Sequence, residues 1–409
     1  MADEEELLSY RRPQLPRRLR LPALLVLVLA AGAAIAVHAS PGGAHHRAAQ
    51  DAPPVPAVPP TSASAAPWPS APAACGGRTE LPIVASVRPS RATGIELLVG
   101  SDQLRTVDFD SGRAAVVPDL RLRSNEYVQE LLGSTYVVTD RCTTSGLAGQ
   151  ARVIRVAGHG SATVVAQLSD GTGILVDGPR AWRVRWPGPV ARGSLAPLSS
   201  GPALRLPARF SPDAISDGVA VGTLSTSAIG PAPMLLVDAL TGRVRARLGA
   251  GSVLTVARGV VLWTTGCDPT RPRPCALHHR RLAGGATRSY LLPRSPVGEG
   301  VLSRDGRLLA FPLMRAAQDA RFEVDAAPPS DIAVLHLDSG RLDVVPGIEM
   351  PANTFPGLAF SADGRWLAIA LSGGTRTRLL AWRPGLAHPY ETTPIVGRLW
   401  GPPSIAMLP

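Results

Sequence analysis

Lysine is absent: all 42 basic side chains of this 409-residue chain are arginine. That bias reads as high-GC coding rather than as a surface built for polyanions, and it weakens the nucleic-acid reading that a formal charge of +11 invites. Five arginines and four acids lie in the first 20 residues. The remaining excess is spread over many turns, with no basic run interleaved with aromatics. No nucleic-acid partner is expected; attraction to an anionic membrane surface or envelope polymer is the reading the charge supports. Aromatics are only 4% of residues, few for a sugar channel lined with stacking rings. Catalytic signatures are missing too: there is no G-x-S-x-G, no H-E-x-x-H, no C-x-x-C and no Walker loop. No catalytic residue, metal ligand or cofactor is therefore expected. A hydrolase or lyase whose carboxylates come from distant parts of the chain leaves no motif, and stays open as the alternative.

Long apolar runs are also missing, with one exception. Leu21–Ala39 carries no charge and follows Arg11, Arg12, Arg17, Arg18 and Arg20. Its length is at the lower end of the roughly 17 to 25 residues that cross a bilayer, and the arginines place residues 1–20 in the cytoplasm. A cleaved secretory signal ending near Ala39 is the rival reading, disfavoured by the long n-region with acids at Asp3–Glu6. Residues 40–78 are rich in Pro, Ala and Ser. Such a segment cannot bury a core and leans to polyproline II, giving a stalk with on the order of 100 Å of reach. The expected organisation is a cytoplasmic tail (1–20), a transmembrane helix (21–39), a linker (40–78) and an extracytoplasmic domain (79–409).

From Thr79 onward, apolar runs are short, punctuated by Gly, Pro, Asp and Asn, and lack helical periodicity. Two stretches share one grammar: LSRDGRLLAFPL from Leu302 and FSADGRWLAIAL from Phe360. Each has a polar turn and then an apolar run suited to a strand buried on both faces. A second pattern, strand, Ser/Thr-Gly turn, strand, recurs from Val107, Val237 and Leu335. The glycines of those turns, Gly112, Gly242 and Gly340, are spaced by whole multiples of roughly 43 to 49 residues, the length of a four-stranded propeller blade. Weaker turns at Gly158–Gly160, Pro187-Gly188, Gly284-Gly285 and Pro384-Gly385 fill the gaps. An all-β, seven-bladed propeller follows, with six or eight blades as the alternatives and with blades near 79–119, 120–168, 169–207, 208–249, 250–294, 295–347 and 348–399.

The S-x-D-G-R turns at 303–307 and 361–365, with RFSPDAISDGVAVG from Arg209 as a worn third copy, resemble the repeat of TolB-type, WD-repeat-like β-propellers. The likeness covers about a tenth of the chain, and it implies the fold without a specific partner. The D-x-x-T-G of Asp238–Gly242 also resembles quinoprotein propellers, but Ala246 stands where those repeats place Trp, so pyrroloquinoline quinone is not expected.

Four cysteines in an extracytoplasmic chain favour two disulfides. Cys267 and Cys275 bracket one loop of blade five. Cys75, ahead of blade one, and Cys142, in the corresponding loop of blade two, form the second expected pair. Binding is expected on the face carrying the loops between strands two and three of each blade. Those loops read as short in blades one, three and seven, at Gly100–Asp102, Asp177–Arg180 and Ser372–Thr375, and long in blades four to six. There Arg271, Arg273, Arg315 and Arg321 can converge on an anionic partner, with Phe322 as an apolar anchor.

Overall fold

The two S-x-D-G-R turns fold identically, and their chemistry explains the motif. The Ser303 hydroxyl donates to Asp305 Oδ1 (2.7 Å) and accepts from the Leu308 N–H (2.9 Å), while Asp305 Oδ1 also accepts the Arg307 N–H. Ser361, Asp363, Arg365 and Trp366 repeat the set at 2.6, 2.9 and 3.0 Å. The turn is thus closed by its own side chains. Asp108 and Asp238 close the Ser/Thr-Gly turns in the same spirit, accepting from the N–H groups of Ser111 and Thr241. Asp110 does something else: it holds the backbone N–H groups of Thr93 and Gly94.

The computed structural model describes residues 82–408, apart from 101–102, 118–119, 121, 123–125, 144–145, 148–150, 157–161, 170–171, 188–191, 200, 225–231, 269–272, 316–328, 352–354, 374–375 and 397–402. The expected transmembrane run and stalk lie outside the described residues. Among the described residues no helix is long and apolar enough to cross a membrane. Pro67–Pro409 is one compact unit.

Seven antiparallel sheets form seven blades. Blade two runs Glu126–Leu132, Tyr136–Thr143, Arg152–Val156, Ala162–Gln167, and blade three Thr172–Asp177, Arg180–Arg185, Ser194–Pro197, Leu204–Arg205. Blade four is Phe210–Ser216, Val219–Leu224, Pro233–Asp238, Val244–Ala250, and blade five Ser252–Ala257, Val260–Thr265, Cys275–Arg281, Arg288–Leu292. Blade six is Val301–Leu302, Leu308–Met314, Ser330–His336, Leu342–Val344, and blade seven Gly357–Phe360, Leu367–Gly373, Arg376–Trp382, Tyr390–Glu391. The boundaries of these six blades match those expected from the sequence within a few residues.

Blade one corrects it. Its innermost strand is C-terminal, Ser404–Met407, which pairs with Glu96–Gly100 (Leu98 opposite Ala406), followed by Leu104–Asp108 and Arg113–Val116. The last strand packs between the inner strands of blades two and seven, so the two ends of the domain close the ring in one sheet. The segment expected to open blade one instead straps the outside of its neighbours. Ile83–Val84 pairs with Ile348–Glu349, and Val87 bridges Tyr390.

Seven apolar clusters fill the seams between blades, and this explains the unbroken apolar strands: both faces of each blade are covered. Leu97, Val99, Phe109, Trp366 and Leu379 share one seam, Leu277, Phe311 and Leu335 another, and Trp182, Phe210 and Val237 a third. Phe109, Phe210 and Phe311 are all 0% exposed. Each such side chain contributes roughly 1.5–3 kcal/mol by burial.

Candidate functional site: the central channel

Because every blade begins at the axis, the inner strands line a channel. Between blades two and six it widens into a cavity of about 1810 Å³. Strand polarity sorts its lining into two ends. At the end carrying the turns between strands one and two lie Asp177, Asp217 and Arg258. Asp177 is committed there, since its carboxylate accepts the N–H groups of Asp217 and Gly218 from the next blade (2.9 and 2.8 Å). At the other end, where each blade starts, lie Thr172, Gly173, Trp186, Pro212, Asp213, Ser252 and Glu299.

Asp213 owes its position to a β-bulge. Pro212 faces Gly222 and Ala214 faces Val221, so Asp213 is the additional residue, and it is exposed into the channel. Bulges re-aim a side chain in this way. Gly222 permits the bulge, because a Cβ there would overlap the Ser211 carbonyl. The inner strand of blade five carries a matching bulge at Leu254, which is buried in the seam with blade six. Only in blade four does this position put a described carboxylate in the channel. Burial by the surrounding wall, reinforced by the charge of Glu299, pushes the Asp213 carboxyl up to about 6. The side chain is exposed, so solvent screens part of the effect.

Glu299 sits just before the inner strand of blade six, where the next N–H, that of Gly300, donates to the Leu254 carbonyl (2.8 Å). Trp186 follows the second strand of blade three. Its indole lies over the inner strand, on Gly173, where a Cβ would overlap the ring. Its Nε1 donates to the Pro212 carbonyl (3.3 Å), next to Asp213, and the residue is 39% exposed. A half-exposed indole and two carboxylates from three blades thus share one end of the cavity.

The residues singled out from the sequence fare differently. Cys267 and Cys275 are joined in a disulfide. Cys75 lies outside the described residues, as does the side chain of Cys142. Arg271, Arg321 and Phe322 are also outside them, and Arg273 is exposed. Arg315 makes two ion pairs: its Nε meets Asp331 Oδ1 (3.0 Å) and its Nη1 meets Glu349 Oε2 (2.5 Å). Burial pushes the Asp331 carboxyl upward, and Arg315 and Arg294 offset part of that. The loop lengths need one correction as well. In blade three Asp177–Arg180 joins strands one and two, and the loop between strands two and three is residues 186–193, which is long.

Asp213, Glu299 and Trp186 were not legible as a site. Among the described residues no group of three or more His, Cys, Asp or Glu is placed to hold a metal. No protein-family model and no characterised protein sequence matches the chain. Solved structures do share its fold. TolB from Acinetobacter baumannii is 13% identical over 77% of this chain and 67% of that one, with a TM-score of 0.41. The periplasmic gluconolactonase PpgL of Pseudomonas aeruginosa is 14% identical over 77% and 99% (TM-score 0.48), and AztD of Citrobacter koseri 10% identical over 77% and 98% (TM-score 0.42). At these identities the likeness is one of fold alone.

Proposed function

We propose that the chain is a membrane-anchored, extracytoplasmic β-propeller that binds another molecule at its central channel without transforming it. The observation that carries this reading is the cavity of about 1810 Å³, open to solvent and walled by five blades, large enough for a drug-sized ligand or a protruding loop of a partner. The anchor rests on the charge-free run Leu21–Ala39 behind its arginines, and the disulfide in blade five fits an oxidising compartment. The formal charge of +11 favours residence against an anionic envelope polymer or a protein partner. Crosslinking and pull-down of the intact protein from its own membranes test the reading, comparing the natural chain with Thr255→Trp, which sets a bulky ring on the cavity wall. Recovery lost in the variant supports it; recovery unchanged moves the site away from that wall.

One observation favours a second reading. A carboxyl pushed up to about 6 beside a second carboxyl is the pairing a hydrolase uses as general acid and base. Turnover of glycoside or lactone substrates that disappears in Asp213→Asn would select it.

A further inference from the structure

Two like charges at one end of the channel have no counterpart there among the described residues. Asp213 and Glu299 line the same cavity from blades four and six, and neither has an ion pair or hydrogen bond among the described residues. The chain has 42 arginines, and less exposed acids elsewhere receive them: the buried Asp331 takes Arg294 and Arg315, and the half-buried Glu391 takes Arg378. Among the described residues the one arginine lining the cavity, Arg258, lies in a turn at the opposite end. Leaving Asp213 unpaired is unfavourable for the empty ring, because burial and the charge of Glu299 both raise the cost of ionising it. The half-exposed indole beside them adds a π-face, which attracts cations, and Gly173 is the space that lets the ring lie down on the wall.

We propose that this end of the channel is a recognition site for an organic cation, an ammonium or guanidinium group that meets the Trp186 indole and is neutralised by Asp213 and Glu299. The inference rests on the reading of the channel as a binding site and names the ligand class it takes. It differs from the anionic partner that the net charge suggests: the outside of the ring is basic, while the described charges at this end of the channel are acidic. A neutral sugar would use the indole and leave the carboxylates uncompensated. An anion would meet two like charges.

Spermidine is a suitable probe, with glucose as the neutral and citrate as the anionic comparison, titrated calorimetrically into the full-length protein in detergent micelles. Spermidine is expected to bind, and glucose and citrate are not. Asp213→Asn, Glu299→Gln and Trp186→Ala should each weaken spermidine at least tenfold. Affinity should also fall between pH 7.5 and pH 5, as Asp213 takes up a proton. The other described charges facing the cavity are Asp177, Asp217, Glu299 and Arg258. If Trp186→Ala does not fold, the two near-isosteric carboxylate variants carry the test. Equal binding of glucose, or undiminished spermidine binding by the doubly substituted Asp213→Asn, Glu299→Gln protein, overturns the cation assignment. Should spermidine fail to bind while pull-down recovery is still lost in Thr255→Trp, the assignment falls and the channel reading stands. Should recovery also survive in Thr255→Trp, both fall.

Discussion

Replacing Glu391 by Gln removes one negative charge and almost no volume, at the point where the N-terminal strap meets the ring. The carboxylate receives Arg378 Nε and Nη2 at 2.6 Å each and is also bonded by the Ser86 hydroxyl. The Arg378 and Glu391 side chains are 26% and 16% exposed. Hydrogen bonds to charged groups are worth about 1.5–3 kcal/mol net. Breaking a fully buried pair costs about 3–5 kcal/mol, an upper bound here because Arg378 still reaches water. The expected loss at pH 7 is therefore about 2–3 kcal/mol, read as a lower urea midpoint with unchanged slope. The pH dependence supplies a second check. Burial alone would raise the Glu391 carboxyl, but the bonds from Arg378 and Ser86 outweigh it and hold the group below its ordinary 4.5. Between those two values the unfolded chain binds more protons, so stability rises with pH there. The contribution is complete above about pH 4.5 and is lost as pH falls through the folded value. The difference between Glu391→Gln and the natural protein should thus be full at pH 7 and shrink well below pH 4.5. A difference of equal size at pH 7 and pH 3, or none at pH 7, would refute the electrostatic account of the strap.

Three further expectations follow from the same structure. Substituting Cys267 and Cys275 together by Ser should cost about 2.5 kcal/mol, from the closure entropy of a loop with a separation of 8 residues, and the loss should match that caused by reductant in the natural protein. Gly173→Ala should lift the Trp186 indole off the wall, destabilising by roughly 1–3 kcal/mol and shifting tryptophan emission to the red; unchanged emission would contradict the close approach. Asp213 has its folded value raised from 3.8 to about 6, so it favours the folded state at low pH and loses that contribution as pH rises through 6. Asp213→Asn should accordingly raise the melting temperature relative to the natural protein at pH 8, modestly because channel water screens the charge, with the gain gone at pH 4.

How much of this could be read from the sequence depended on how local the physics was. The Ser303–Arg307 and Ser361–Arg365 turns are closed by their own side chains, so their residues are fixed by neighbours in the chain and the motif is visible. The period followed from them. Blade one escaped because its inner strand, Ser404–Met407, is chosen by a sheet partner some 300 residues away and has no turn of its own. Blade three was misphased by one strand: Pro187-Gly188 looks like the turn between strands three and four but lies between strands two and three. The channel was the least legible part. Asp213, Glu299 and Trp186 come from three blades, and Asp213 faces the axis because of a one-residue bulge that no alternation pattern announces. The one local hint was Pro212-Asp213 inside a strand that should be apolar.

The most direct test of the channel as the binding site places a photo-crosslinking benzoylphenylalanine at Thr255, on the cavity wall, and in a second protein at Val164, on the outer strand of blade two, which is 48% exposed. Both full-length chains are irradiated in their native membranes and analysed for adduct mass. The account predicts an adduct at Thr255 and none at Val164; an adduct at Val164 with nothing at Thr255 would contradict it.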